Sequence, residues 1–161
     1  MNNRWWKGER GEWYVVLQFI LFAIIFATPF LTSQYSGWSE PWVTIGYLLG
    51  LLLMAIGGLL ALAGLVSLGR NLAVVPHPKE DANMVEHGAY KIVRHPIYSG
   101  IILGAFGWAL LMNSALTFLP AAILFLFFDR KSRREEKWLG YKFNNYADYQ
   151  QRVRKLLPFI Y

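Results

Sequence analysis

The sequence contains no cysteine, and its long apolar stretches contain no charged residue. Without cysteine, disulfides, thiolate metal ligands and cysteine nucleophiles are all excluded. The stretches Trp13 to Leu31, Trp42 to Val66 and Pro96 to Phe128 lack Asp, Glu, Lys, Arg and His. Proton- or ion-coupled transporters usually place such a residue inside the membrane. This absence therefore argues against a small coupled transporter.

Apolar residues, by contrast, are abundant and occur in runs. Of 161 residues, 55% are hydrophobic and 17% aromatic, although the formal net charge is +6. About 20 apolar residues in a helix cross the hydrocarbon core of a bilayer. Trp13 to Leu31 and Trp42 to Val66 are therefore predicted membrane helices. The basic excess then suits anionic lipid headgroups better than nucleic acid.

Basic residues also precede the first apolar run, at Arg4, Lys7 and Arg10, as they do in a signal peptide. No small-residue cleavage site follows, which favours an uncleaved span. In the second run, Gly50, Gly57 and Gly64 recur every seven residues. This spacing predicts a stripe on which another helix packs closely.

The distribution of Lys and Arg predicts the topology. The 16 residues fall into three groups, before Trp13, between Arg70 and Arg94, and after Phe128. None lies in Ser33 to Pro41 or beside Asn113. If Pro96 to Phe128 turns back at Asn113-Ser114, every positive charge faces one side, as the positive-inside tendency favours. We predict an all-α membrane protein with four membrane helices, the last two forming a short hairpin, and with both termini cytoplasmic.

The polar segment Leu68 to Arg94 is too long for an idle connector in so small a protein, which suggests a function. It leads into "RHPIY", in which Pro96 suits the first turn of a following helix. His95 would then stand at the helix entrance, where backbone N–H groups favour an anion. The alternative is that His95 and Tyr98 only anchor a helix end at the membrane interface. His77 and His87 are expected in an exposed loop, and the histidine spacing fits no metal site.

A second polar element, "RKSRREEKWL", follows the last apolar stretch. On a helix, Glu135 shares a face with Trp138 and Leu139. A carboxylate on an apolar face needs a cation or a hydroxyl donor. The alternative for this helix is a basic surface that contacts lipid headgroups, and for Arg133 we prefer it.

Five motifs in order now carry a resemblance: "LGRNL", "MVEHGAYKIVRHPIYSG", "RREEKWL", "NNYADYQQRV" and "LLPFI". Together they resemble the isoprenylcysteine carboxyl methyltransferase family, which is related to integral-membrane phospholipid N-methyltransferases. The similarity covers Leu68 to the C-terminus. It implies a membrane enzyme that uses S-adenosylmethionine without the nucleotide fold of soluble methyltransferases, and the sequence indeed has no GxGxxG turn after a strand.

The resemblance also implies site residues. The cofactor contacts would fall on Ala82, Asn83, Met84, Val85, Tyr90, His95, Pro96, Ile97, Tyr98 and Glu135, with Glu136 as the alternative to Glu135. The family's loop glutamine has no counterpart, since Val75 stands near its position. The substrate-binding arginine of the family corresponds to Arg130 or Lys131. No acid, base or metal is required.

The resemblance implies an acceptor that is a lipid or a prenylated molecule and enters from the bilayer. The favoured acceptor group is a prenylcysteine-type carboxylate. A phospholipid amine is the alternative acceptor, and a small transporter or scaffold is the non-enzyme alternative. A carboxylate is already anionic at neutral pH and needs only to lose its water, whereas an amine must first lose a proton. We expect one membrane-embedded domain, 1–161, with two helices in 1–67 and the cofactor loop, hairpin and C-terminal helices in 68–161.

Overall fold

The computed structural model describes residues 11–32, 38–73 and 75–161, and these residues form helices and loops without a β-strand. The described residues contain five α-helices, α1 (Glu12–Leu31), α2 (Trp42–Leu68), α3 (Pro96–Leu111), α4 (Phe118–Lys142) and α5 (Tyr146–Arg152). Short 3-10 helices lie at Gly69–Asn71, Gly88–Lys91 and Ala115–Thr117. The predicted all-α class is confirmed. The basic N-terminal residues Arg4, Lys7 and Arg10 and part of the loop after α1 lie outside the described residues.

Two of these helices are long and apolar enough to cross a bilayer, Glu12–Leu31 and Trp42–Asn71 if the adjoining 3-10 turn is included. Pro96–Leu111 is a shorter apolar helix. Many large apolar side chains on α1 and α2 point outwards, among them Phe19 at 62% exposure and Leu59 at 69%. Faces of this size would be costly in water and suit a lipid environment. The protein is a membrane protein.

Helices α2 and α3 approach each other through glycines. A Cβ atom added to Gly57 would lie 2.5 Å from the carbonyl oxygen of Gly100, and one added to Gly50 would lie 2.7 Å from that of Gly107. Near the C-terminal end of α2, Gly64 faces the ring of Pro96 at the start of α3. The stripe predicted from the seven-residue spacing is therefore the surface on which α3 packs, since only glycine lets two backbones come so close.

Helix α4 continues beyond the last apolar stretch. The apolar stretch that ends at Phe128 and the polar stretch after it form one continuous helix, because neither proline nor glycine interrupts the chain from Ala121 to Leu139. The apolar half packs with α1 and α3 in a core around Leu124, Phe127 and Phe128. The polar half projects beyond this core and carries the charged residues of the site.

The segment after α5 returns to the start of α3. The backbone N–H of Arg94 donates to the carbonyl of Arg154 at 2.8 Å, and that of His95 donates to Lys155 at 3.1 Å. The side chain of Lys155 also contacts Asp129 in α4, which accepts a further bond from Tyr161 at 2.8 Å. These contacts fix the residues that enter α3 against the C-terminal segment.

Candidate functional site

A pocket lies where the loop after α2, the start of α3 and the polar half of α4 meet. It brings together most of the residues predicted from the family resemblance, namely Ala82, Asn83, Met84, Val85, Tyr90, His95, Ile97, Tyr98, Lys131 and Glu135. Three polar segments far apart in sequence therefore converge at this pocket. Leu72 and Leu139 add apolar surface to the lining, and Ile101 connects the pocket to the core.

Two predicted residues do not line the pocket. Pro96 is buried at the first turn of α3, where its ring packs against Gly64. Arg130 is exposed on α4, whereas Lys131, the next residue, is 2% exposed and faces the pocket. Of the two alternatives for the basic position, the geometry favours Lys131. Val75, which stands near the position of the family's glutamine, is also part of the lining.

The two adjacent glutamates have different surroundings. Glu135 lines the pocket, and its Oε2 accepts a hydrogen bond from the hydroxyl of Tyr98 at 2.8 Å. Glu136 points away from the pocket and accepts from Arg94 Nε at 2.8 Å and from His95 Nε2 at 3.0 Å. Glu135 is thus the carboxylate that remains accessible, and Glu136 is held by its neighbours.

The electrostatics of Glu136 follow from these contacts. Burial alone would raise the pKa of this carboxyl, but the hydrogen bonds and charges of His95 and Arg94 outweigh it and lower the pKa to about 2. An ionised carboxylate only accepts hydrogen bonds, so Nε2 of His95 carries the hydrogen. The other ring nitrogen, Nδ1, lies 3.8 Å from Glu135 on the pocket side.

Aromatic rings form the wall next to these glutamates. The rings of His95 and Tyr98 stack at 5.4 Å with an interplanar angle of 5°, and Tyr98 stacks on Phe128 at 4.6 Å. Tyr90 forms another part of the lining, and its backbone carbonyl accepts from the hydroxyl of Tyr149 at 2.7 Å. The rings of His95, Tyr98 and Phe128 are thus held by stacking, and the Tyr98 hydroxyl is also held by its bond to Glu135.

Arg94 is a structural residue of the site that the sequence did not single out. Besides the bond to Glu136, its Nη1 donates to the carbonyl of Gln150 at 3.0 Å and to that of Val153. Arg94 therefore joins α4, α5 and the C-terminal segment behind the pocket. Its position directly before His95 in "RHP" was the available signal, since a buried carboxylate in the EE pair needs a cation.

The loop that covers the pocket is fastened at several points. The side chain of Asn71 accepts from the backbone N–H of Asn83 at 2.8 Å, and Lys142 donates to the carbonyl of Glu80 at 2.7 Å. The ring of His77 lies 4.7 Å from that of Trp138 in α4. The expectation of an exposed loop histidine holds for His87 but is wrong for His77, which is half-buried by this contact.

At the apolar end of the pocket, Lys131 contacts a residue of α1. Its Nζ donates to Oε1 of Gln18 at 2.7 Å and lies 5.0 Å from the centroid of the Tyr98 ring. Burial lowers the pKa of Lys131 to about 8, a shift that Glu135 partly opposes. Gln18 is a strongly polar residue inside the first apolar run, and nothing in the neighbouring sequence indicates its partner.

Metal ligands show no clustering in the described parts of the chain. Across residues 11–32, 38–73 and 75–161, no three His, Asp or Glu side chains are grouped so that they could hold a metal ion.

Comparison with known proteins gives the family. Residues 45–146 match the family model described as phospholipid methyltransferase, so the chain belongs to that family. It is 33% identical over 115 residues to a probable protein-S-isoprenylcysteine O-methyltransferase of Oryza sativa subsp. indica, covering 69% of this chain and 60% of the relative. The resemblance to isoprenylcysteine methyltransferases drawn from the motifs is confirmed.

Two further relatives extend the comparison. Protein-S-isoprenylcysteine O-methyltransferase B of Arabidopsis thaliana is 28% identical over 115 residues, which cover 69% of this chain and 58% of the relative. The cobalt-zinc-cadmium resistance protein CzcN of Cupriavidus metallidurans is 27% identical over 164 residues, 98% of this chain and 67% of the relative. The chain spans about 60% of the length of the rice and Arabidopsis relatives.

Proposed function

We propose that this protein is an integral membrane methyltransferase that uses S-adenosylmethionine to methylate a lipid-linked carboxylate of the prenylcysteine type. One observation carries the proposal. Residues from the loop, from "RHPIY" and from α4 line one pocket at the end of an apolar helical body, so a polar cofactor and an apolar acceptor can meet there. The family membership and the names of the plant relatives support the same activity.

The residues of the pocket fit the proposed cofactor. A carboxylate, Glu135, is available to accept from an amino group or from ribose hydroxyls, and the Tyr90 ring lines the pocket where adenine or a cation would bind. The segment 82–85 adds the residues Ala82, Asn83, Met84 and Val85 to the lining. When bound, the cofactor supplies an electrophilic methyl group on a sulfonium. The chain contributes alignment, which can account for roughly 7–11 kcal/mol of barrier.

In this proposal the acceptor is bound by Lys131. Its buried amine lies between the aromatic wall and the apolar end of the pocket, where the polar head of a lipid entering from the bilayer would arrive. A carboxylate head group complements this cation and needs no general base, only removal of its water. Arg130 is exposed and takes no part.

The proposed topology follows the charges. Helices α1 to α4 all cross the membrane, α3 and the apolar part of α4 forming a hairpin that turns near Asn113 and Ser114. The pocket, the C-terminal segment and both termini then share the cytoplasmic face with all Lys and Arg residues. Residues 1–161 act as one membrane-embedded domain.

A phospholipid amine is the second candidate acceptor, because the matching family model is described as phospholipid methyltransferase. An amine must lose a proton before it attacks, and the cation of Lys131 would repel a protonated head group. The two candidates differ in charge and can be separated with defined lipids.

The test has two stages. Calorimetric titration of the detergent-solubilised protein with S-adenosylmethionine should show binding that persists with a chelator present. Glu135→Gln should weaken it roughly ten- to a hundredfold, as expected when a hydrogen bond to a charged group is lost. Methyl transfer from labelled cofactor is then measured to N-acetyl-S-farnesylcysteine and to phosphatidylethanolamine. No binding at millimolar cofactor would refute the enzyme, and transfer to the phospholipid alone would select the second candidate.

A further inference from the structure

We infer that Gln18 in α1 is a positioning residue of the acceptor site. Its side-chain amide holds the Lys131 amine at the apolar end of the pocket and away from Glu135, so that the pocket presents a cation to the acceptor head group. This inference rests on the proposed function and names a residue that the family match does not reach, because that match begins at residue 45.

The geometry around Lys131 shows why a holder is needed. Its amine is buried, with Gln18 Oε1 at 2.7 Å and the Tyr98 and Phe128 ring centroids at 5.0 and 5.8 Å. Among the described residues no carboxylate lies within ion-pair distance of this amine. A protonated amine has three N–H donors, so the single bond to Gln18 leaves donors that face the pocket.

The competing partner lies one turn along the same helix. Lys131 and Glu135 are spaced i and i+4, which is the spacing of helical ion pairs. A flexible lysine would normally turn towards such a carboxylate, especially when the alternative is burial. Instead Glu135 accepts from Tyr98, and Lys131 reaches across to α1. Gln18 from one side and Tyr98 from the other thus keep the two charges apart.

Separation of the two charges has a chemical consequence. If Lys131 paired with Glu135, each would neutralise the other, and the pocket would lose both its cation and its accessible carboxylate. A neutral amide is a suitable holder, since it orients the ammonium without cancelling its charge. A glutamate at position 18 would form an ion pair with the Lys131 ammonium and so compete with the acceptor carboxylate. The site therefore selects an anionic head group, and Gln18 maintains that selection.

The test compares two ligands that differ only in head-group charge, N-acetyl-S-farnesylcysteine and its carboxamide. Binding of each is titrated in detergent with the full chain. The wild type should prefer the acid. Gln18→Leu should weaken binding of the acid roughly ten- to a hundredfold and change binding of the carboxamide little. In turnover, KM for the acid should rise while kcat changes less. Thr28→Val, in the same helix, is the control, because the Thr28 hydroxyl bonds only within α1.

A double-mutant cycle with Lys131→Met separates positioning from folding. If Gln18 acts through Lys131, the Gln18→Leu change should have no further effect once the amine is gone. Equal losses for acid and carboxamide, or full additivity of the two substitutions, would overturn the inference. A wild type that prefers the acid while Gln18→Leu keeps the same preference would overturn the inference alone. A wild type without any preference for the acid would overturn both the inference and the proposed acceptor.

Discussion

Replacement of Glu136 by glutamine should destabilise the protein more than replacement of its neighbour Glu135. The Glu136 side chain is 10% exposed; it forms an ion pair with Arg94 at 2.8 Å and lies within hydrogen-bond distance of His95 Nε2 at 3.0 Å. Glutamine keeps the shape but not the charge, so the Arg94 cation would be left buried without a counter-ion. Breaking a buried ion pair by removing one partner costs about 3–5 kcal/mol.

The pKa of Glu136 gives an independent magnitude. The folded state lowers it from 4.5 to about 2. Since a difference of one pKa unit corresponds to about 1.4 kcal/mol, the ionised carboxylate contributes on the order of 3 kcal/mol. A lowered folded pKa means that this stability is present above the unfolded value near 4.5 and is lost as the pH falls towards 2. The stability gap between wild type and Glu136→Gln should therefore shrink by about half between pH 5 and pH 3.

The assay is unfolding in a fixed detergent micelle, followed by tryptophan fluorescence, at pH 7, 5 and 3. Asp148→Asn is the control, because Asp148 is an exposed carboxylate on α5. Glu135→Gln is the second comparison and should lose cofactor affinity with little change in stability. The reasoning is refuted if Glu136→Gln unfolds like the wild type at pH 7, or if the gap is the same at pH 5 and pH 3.

Three shorter predictions concern packing, topology and the loop. Gly57→Ala should lower the unfolding temperature in detergent because its Cβ would meet the Gly100 carbonyl at 2.5 Å, whereas Gly58→Ala, which has open space, should not; equal behaviour of the two variants would contradict the packing. Single cysteines introduced at the exposed positions Ala115 and Asn145 should react with an impermeant maleimide from opposite sides of oriented vesicles, and reaction from one side would exclude the hairpin. Asn71→Ala should weaken cofactor binding roughly tenfold in calorimetry, because it releases the backbone of Asn83. Unchanged affinity would show that the hydrogen bond between Asn71 and Asn83 does not shape the pocket.

The sequence predicted those parts of the fold that depend on local patterns. The first apolar run was expected from Trp13 and the helix begins at Glu12, while the second begins at Trp42 as expected. The start of α3 at Pro96 followed from the conformational preference of proline. These helix boundaries depend on neighbouring residues, so the composition and the spacing of apolar residues were enough to predict them. The pocket lining, in contrast, was predicted only through the family motifs.

The contacts that arrange the site were not predictable from local patterns. Arg94 and Glu136 are far apart in sequence, and the backbone bonds of Arg94 and His95 to the C-terminal segment depend on where α5 ends. Likewise, His77 was expected in an exposed loop, but its ring contacts that of Trp138 in α4. The sequence shows that a buried charge needs a partner. Which residue becomes that partner depends on how whole helices pack.

The same reasoning explains why the two adjacent glutamates differ in role. Consecutive residues on an α-helix point about 100° apart, so Glu135 and Glu136 face different neighbours even though their chemistry is identical. Glu135 meets the Tyr98 hydroxyl, a neutral donor that leaves the carboxylate available to the pocket. Glu136 accepts hydrogen bonds from the Arg94 cation and from His95. These bonds connect α4 to the start of α3 and, through Arg94, to α5. The charge of Glu136 therefore serves the fold, and that of Glu135 serves the pocket.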